Sequence, residues 1–205
     1  MGDPPTPDVL NVQRINICEP DGTIRYVLSN RTLFPDHILI GGKAFKHPTR
    51  EVAGMLFYND EGTESGGLLF TGGEGRTAGS LSFDAYEQDQ VIQLYGAQDQ
   101  SGTSAFLMVS DRPDRSIQED LEAMEGLSQQ EVRELQTRHL QEDPAYYGAV
   151  RLVAGVTETD ATVQLQDANG RTRLRFRVTA SGDAAIEFLD ADGAVRKTIT
   201  ADSAD

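Results

Sequence analysis

The densest group of chemically capable side chains in the sequence is a strip of four arginines near the C-terminus. These are Arg171, Arg173, Arg175 and Arg177, each separated from the next by one residue. Alternate residues of a β-strand point to the same face, so the four guanidinium groups would lie together while Leu174, Phe176 and Val178 point the other way. Guanidinium groups hold carboxylates through paired hydrogen bonds. The strip therefore predicts a surface that binds anions or carboxylates.

Two other interpretations fit the arginine strip. It is a solvated strand face whose arginines pair across the sheet with groups such as Glu187, or it docks onto an acidic surface of the same chain or of a second subunit. An acidic surface is available, because residues 51–150 carry 5 basic and 19 acidic side chains. Residues 1–50 carry 6 basic and 5 acidic side chains, and residues 151–205 carry 7 basic and 9 acidic side chains. If the arginine strip docks onto the acidic surface of a second copy, the protein should self-associate.

Histidines and aspartates raise the question of a metal site. His37 and His47 lie near Asp36, but no third strong ligand is closely spaced with them, as a zinc site would need. The turns at 167–170 and 190–193 resemble calcium loops, but they lack the alternating ligands and the bidentate glutamate at the twelfth position. We therefore predict no metal ion and no cofactor, and we interpret the segments 167–170 and 190–193 as turns.

Motifs for covalent or phosphate chemistry are missing from the sequence. There is no Gly-x-Ser-x-Gly and no Gly-Lys-[Ser/Thr] segment. Cys18 has no histidine close to it in the sequence, so we expect a buried, unreactive thiol. Many carboxylates are present, and nothing in the sequence selects two of them as a glycosidase pair. The sequence therefore favours a non-enzymatic protein and leaves a carboxylate-dependent enzyme as the alternative.

The composition excludes several classes of protein. The 205 residues include 18 basic and 33 acidic side chains, for a net charge of −15. Nucleic acid is not expected as a partner, because affinity for phosphate backbones needs a basic face. No apolar run approaches the roughly 18 residues of a membrane-spanning helix, so no membrane association is predicted. One cysteine excludes an internal disulfide, and the sequence begins without a secretory signal, so we expect a cytoplasmic location.

Strand signals dominate the sequence. Apolar and polar residues alternate at 15–18, 91–95 and 162–165, and short apolar runs occur at 55–58 and 68–70. Five segments with Asp, Asn or Glu first and Gly fourth separate such stretches: 19–22, 59–62, 99–102, 167–170 and 190–193. They suit a type I turn followed by a glycine bulge, which joins antiparallel strands. The first three turn glycines are each 40 residues apart, which keeps a propeller-like repeat as an alternative.

One stretch has helical signals. Ser116 with Glu119, and Ser128 with Glu131, have the spacing of a capping box. Gly126 separates the two helices that these boxes would begin. We expect both helices to form an insertion that packs over one edge of a sheet.

Three segments, 53–68, 80–91 and 111–114, resemble a family of uncharacterised bacterial proteins. The resemblance implies a bacterial origin and carries no known activity. If the family shares a site, the resemblance places it among polar residues of the first two segments. These residues are Asn59, Asp60, Glu64, Asp84, Tyr86, Gln88 and Asp89. An internal hydrogen-bond network that closes the sheet is the alternative role for them.

Together these signals predict one all-β domain over residues 9–200, with disordered tails at 1–8 and 201–205. About ten strands in successive antiparallel hairpins would form a barrel or a sandwich, with a two-helix insertion at about 116–142. The expected function is a non-enzymatic binding or assembly module that self-associates or takes an unknown protein or small-molecule ligand. The alternative is a hydrolase or carbohydrate-active enzyme that uses carboxylates such as Asp84 and Asp89. A deep cleft with two carboxylates would favour the enzyme, and a broad apolar patch would favour assembly.

Overall fold

The structure, a computed structural model, describes residues 8–47, 50–157 and 159–202, so most of the two predicted tails lies outside it. The strands are β1 (Arg14–Cys18), β2 (Ile24–Ser29), β3 (His37–Ile40), β4 (Lys43–Lys46), β5 (Ala53–Tyr58), β6 (Glu64–Gly73), β7 (Arg76–Asp84), β8 (Gln90–Asp99), β9 (Gly102–Ser110), β10 (Val150–Thr157), β11 (Asp160–Gln166), β12 (Thr172–Val178), β13 (Ala184–Leu189) and β14 (Val195–Thr200). The helices are α1 (Gln118–Met124) and α2 (Gln129–Glu142).

Twelve of these strands form a single antiparallel sheet. Its order is β1-β2-β5-β6-β7-β8-β9-β10-β11-β12-β13-β14, and β3 with β4 forms a separate hairpin. The predicted all-β fold of successive hairpins with a two-helix insertion is therefore confirmed. The sheet is open, with β1 and β14 as its two edges, so it is neither a closed barrel nor a set of propeller blades. The expected number of about ten strands is too low, partly because β3 and β4 gave no strand signal.

The recurring turns fix the register of the sheet. Gly22, Gly62, Gly170 and Gly193 have φ between 74° and 94°, the left-handed region that glycine tolerates best. In three of these turns the first side chain accepts hydrogen bonds from two backbone amides, as Asn59 Oδ1 does from Glu61 at 3.0 Å and Thr63 at 2.9 Å. A β-bulge lies beside each of these four turns. The prediction is wrong for the fifth turn, at 99–102, where Asp99 pairs directly with Gly102 and no bulge occurs. Turn chemistry thus accounts for these acidic and amide side chains.

The sheet has two different faces. We call one the mixed face, because it is apolar near β2, β5 and β6 and polar near β11 to β14. Its apolar part is covered by the chain between β2 and β5, where Phe34 packs with Val27, Leu56 and Tyr58. The hairpin β3–β4 buries Ile40 and Phe45 in the same region. The polar part needs no such cover, because its side chains are hydrated or paired with one another.

The two helices lie at the end of the central strands. They join β9 to β10, and the Ile117 amide donates a hydrogen bond to the Glu87 carbonyl at 2.9 Å in the turn between β7 and β8. The expectation that they pack over an edge strand is therefore wrong. The predicted capping box at Ser128 is confirmed, but α1 is capped by Ile117 without a side-chain hydrogen bond. Its Ser116 hydroxyl accepts from the Gln118 amide instead.

The other face, which we call the apolar face, carries apolar side chains from one edge of the sheet to the other. Its middle row consists of Ile15, Leu28, Met55, Leu68, Leu81, Leu94, Leu107, Ala154, Val163, Phe176, Ile186 and Ile199, each directly opposite the next. No described segment covers this face. Leu94 is 49% exposed and Phe176 is 42% exposed. A single sheet with one side packed leaves the other side bare.

The position of the core predicts unequal costs for two leucine truncations. Leu56 is 1% exposed and Leu140 on α2 is 44% exposed. We expect Leu56→Ala to lower the free energy of unfolding by about 2–5 kcal/mol, through lost contacts and an unfilled cavity. Leu140→Ala should change it by about 0.5 kcal/mol. Urea unfolding of both variants at one protein concentration checks this, and equal losses would contradict the placement of the core.

Candidate functional site

Several of the predicted site residues serve the turns in which they lie. Asn59 accepts the two turn amides described above. Asp60 is exposed and forms an ion pair with Arg25 at 2.7 Å. Tyr86 is also exposed and donates its hydroxyl hydrogen to Glu61 Oε2 at 2.8 Å. These contacts join neighbouring hairpins at the surface and do not form a concave site.

Gln88 is buried, and it joins the turn between β7 and β8 to the helical insertion. Its side-chain amide donates to the Arg115 carbonyl at 2.8 Å. Arg115 in turn pairs with the buried Asp120 at 2.8 Å and lies 4.5 Å from the centre of the Tyr146 ring. Gln88 therefore holds α1 against the end of the sheet, a role that hairpin patterns in the sequence do not reveal.

Glu64, Asp84 and Asp89 belong to a charged cluster at the same end of the sheet. Glu64 forms a buried ion pair with Arg50, and Asp89 lies 3.8 Å from Arg112. Glu64 Oε2 and Asp84 Oδ1 are buried and have no hydrogen-bond partner among the described residues. Buried carboxylate oxygens without partners are costly. The cluster therefore contains two carboxylate oxygens whose burial is not offset by a hydrogen bond.

The pKa values in this cluster reflect that cost. Burial raises the pKa of Asp84 to about 7, and repulsion from Glu64 and Asp89 adds to the effect. Burial also raises the pKa of Glu64, against the opposing influence of Arg50. The pKa of His47 falls to about 4, through burial and the nearby Arg50 charge. Asp84 can therefore hold a proton near neutral pH, as a general acid would.

A cleft of about 240 Å³ lies between this end of the sheet and the helices. Its walls are formed by Gln88, Asp89, Arg112, Arg115, Ile117, Asp120, Leu121, Met124, Gln136 and Tyr147. Arg112 donates to the Gln90 carbonyl at 2.9 Å and to the Tyr147 carbonyl at 3.0 Å. Asp84 does not line the cleft. The protonatable group and the open space are thus separate, which does not favour acid catalysis in this cleft.

The arginine strip is paired within the chain. Arg175 and Arg177 both contact the buried Glu187, at 2.6 and 3.0 Å, and Arg177 also lies 3.4 Å from Asp160. Arg173 pairs with Asp167 at 3.4 Å, while Arg171 lies outside β12 and is exposed. These contacts match the interpretation of the strip as a cross-strand paired face. Three of the four guanidinium groups therefore already have carboxylate partners within the chain, although Arg177 Nε is buried without a hydrogen-bond partner among the described residues.

The described residues contain neither a metal site nor a buried thiol. Within residues 8–47, 50–157 and 159–202, no three His, Cys, Asp or Glu side chains are grouped so that they could hold a metal ion. Cys18 is an exposed free thiol, so the expectation of a buried thiol is wrong. The strand that carries it, β1, is an edge strand that no described segment covers. Neither helix of the described chain is long and apolar enough to cross a membrane.

The sequence-based predictions do not place an apolar face on this sheet. The strand pattern places Leu174, Phe176 and Val178 on one side of β12, and this was visible in the sequence. What the sequence did not show is that each strand adds its apolar side to the same face. Alternation with a period of two residues tells which side of one strand is apolar. Whether all strands turn that side to the same face of the sheet depends on the register of eleven strand pairings.

The raised pKa of Asp84 predicts a pH-dependent stability. The pKa of Asp84 is about 7 in the folded chain, against 3.8 for an ordinary aspartate. Between these pH values the folded protein therefore holds the proton more tightly than the unfolded chain does. The stability from this group is present below pH 4 and is lost as the pH rises to about 7. Asp84→Asn should remove this loss, a difference of up to about 4 kcal/mol. Urea unfolding from pH 4 to pH 8 measures it.

Asp60→Asn is the control for the loss of one negative charge, because Asp60 is exposed in a turn. It should keep the slope of the wild-type stability profile. If Asp84→Asn also keeps that slope, the Asp84 carboxyl is not buried as described.

Comparison with models of known protein families and with curated proteins found no match. The resemblance of the three segments to a bacterial family therefore stays a prediction.

Proposed function

We propose that the protein is a non-enzymatic assembly module, and that its apolar face is the surface through which copies of the chain associate. The observation that carries this proposal is the unbroken middle row of apolar side chains across all twelve strands of the sheet. Apolar surface is driven together by the water that it releases. The partner that we propose for the face is a second copy of the chain.

The size of the apolar face fits a stable dimer. Twelve strands spaced about 4.8 Å apart make the face about 50 Å wide, and three rows of side chains make it about 17 Å tall. Each copy would bury roughly 900 Å², and a pair would bury roughly 1,800 Å², within the usual range for specific interfaces. Monomeric proteins seldom expose an apolar patch above about 600 Å². The face is therefore larger than the apolar patches that monomers usually expose, which supports a partner that covers it.

The chemistry of the face also favours a protein partner of the same kind. Its central strands present leucine, isoleucine, valine and phenylalanine, and the charged residue Lys197 lies beside the middle row on the edge strand β14. The aromatic rings of Tyr26, Phe57 and Phe83 form a ladder with centroids 6.1 and 6.5 Å apart. An anionic membrane surface would repel a chain with a net charge of −15, because the two charges have the same sign.

A second copy of the chain presents a surface with the same width and the same twist as the apolar face. Two identical sheets have equal width and the same right-handed strand twist. They can stay in contact across all strands, as the sheets of a β-sandwich do. The association of an arginine strip with an acidic surface is not the mode that we propose, because Glu187, Asp160 and Asp167 already pair with three of its four arginines. The exposed thiol of Cys18 fits the cytoplasmic location that we also propose.

The proposal predicts that one charge on the apolar face separates the copies. Leu94 lies on the apolar face, and its neighbour Gln93 lies on the mixed face. We expect sedimentation equilibrium of the wild type to give twice the chain mass of 22.4 kDa. Leu94→Glu should give the monomer mass, because a buried unpaired carboxylate is costly. Gln93→Glu adds the same charge to the same strand and should leave the dimer intact.

Circular dichroism shows whether the Leu94→Glu chain stays folded, as we expect for a side chain outside the monomer core. Val163→Glu on β11 is a second variant, because Val163 belongs to the same middle row and is 37% exposed. A wild-type protein that sediments as a monomer at micromolar concentration and low salt would contradict the proposal. So would dimers that survive both charged variants.

A further inference from the structure

Two sheets that meet through their apolar faces with their strands aligned, as in a β-sandwich, can be related by a two-fold axis in two ways. An axis that runs along the strands places β1 of one copy over β14 of the other. An axis that runs across the strands places β1 over β1 and every strand over its own counterpart. The first reverses the strand order between the sheets, and the second keeps it. Symmetric dimers bury the same patch on both subunits, so the patch itself must favour one arrangement.

The apolar face is bulky on one side of its middle row and small on the other. The bulky row consists of Ile17, Tyr26, Phe57, Gly66, Phe83, Ile92, Val109, Leu152, Leu165, Leu174, Phe188 and Lys197. The small row consists of Ala53, Phe70, Gly79, Gly96, Ala105, Val156, Ala161, Val178 and Ala184. Six of these nine are Gly or Ala. The face is therefore thick along one side and thin along the other.

The two axes treat these rows differently. With an axis along the strands, the bulky rows of the two copies face each other, and so do the small rows. The bulky rows then hold the sheets apart, and a gap remains between the small rows. An axis across the strands reverses the strand direction between the copies, so the bulky row of each copy meets the small row of the other. Packed layers interdigitate best when large side chains face small ones. The second arrangement fills the space evenly.

Resting on the proposed function, we infer that the two copies pair in the same strand order, about an axis that runs across the strands along the middle row. Each strand then faces its own counterpart in the partner. The middle-row side chains meet their own copies near the axis. On β8, Gly96 of one copy faces Ile92 of the other. The helical insertion of each copy lies at the end of its central strands, so the two insertions lie at opposite ends of the dimer.

The pairing of Gly96 with Ile92 allows a compensation test. A Cβ on Gly96 meets no atom within 4 Å, so the monomer tolerates Gly96→Leu. In the dimer this leucine collides with Ile92 of the partner, and the dissociation constant should rise at least about tenfold. Adding Ile92→Ala to the same chain should restore it to near the wild-type value. Ile92→Ala alone is the control, and a double variant no better than Gly96→Leu would overturn the inference.

Spin-label distances separate the two arrangements directly. Thr198→Cys and Gln93→Cys, each in a Cys18→Ser chain, place one nitroxide on the mixed face of β14 or β8. In the same-order dimer, both labels lie about 25 Å from their copies, since facing sheets are about 10 Å apart. In the reversed order, the Gln93→Cys distance stays short while the Thr198→Cys distance exceeds about 50 Å.

The outcomes distinguish the inference from the proposal on which it rests. A short Thr198→Cys distance, measured by pulsed dipolar spectroscopy, supports the same strand order. A long Thr198→Cys distance with a short Gln93→Cys distance overturns the strand order and leaves the assembly proposal standing. No dipolar coupling in either sample, together with a monomer mass in sedimentation, overturns both.

Discussion

The whole molecule depends on the register of one sheet. A strand shows only two sides to its neighbours, and a slip of one residue exchanges them. Eleven pairings in a row keep the same side apolar, from Ile15 on β1 to Ile199 on β14. The chain covers the opposite side near β2, β5 and β6 with its own residues. One constraint thus creates both a packed core and a bare apolar face.

The turns hold this register in place. A bulge beside a turn adds one residue to a strand, and it would shift the apolar side if it lay inside the sheet. Here the bulges lie at the strand ends, such as Phe57/Tyr58 and Phe188/Leu189, so the strand centres keep their alternation. The side chains of Asn59, Asp167 and Asp190 serve these turns. Acidic residues that resemble ligands in the sequence are therefore structural supports for the sheet.

The sequence predicted local structure well and long-range arrangement poorly. The hairpin turns, the all-β class and the capping box at Ser128 follow from residues within four positions of one another. The open sheet, the burial of Asp84 and the exposure of Cys18 depend on which strands are neighbours. The resemblance grouped Asn59, Asp60, Tyr86 and Asp84, and the structure divides them between surface turns and a buried cluster. Spacing in the sequence does not distinguish a turn aspartate from a buried one.

The edges of the sheet explain why assembly would stop at two copies. An exposed edge strand offers free backbone groups to another sheet, and edge-to-edge addition has no natural end. The β14 edge carries Lys197 and the β1 edge carries Arg14, whose positive charges oppose the approach of a like edge. A face-to-face pair about a two-fold axis uses the apolar face of each copy completely. In the proposed assembly, the charged edges and the use of one face by each copy would therefore favour a closed dimer over a fibre.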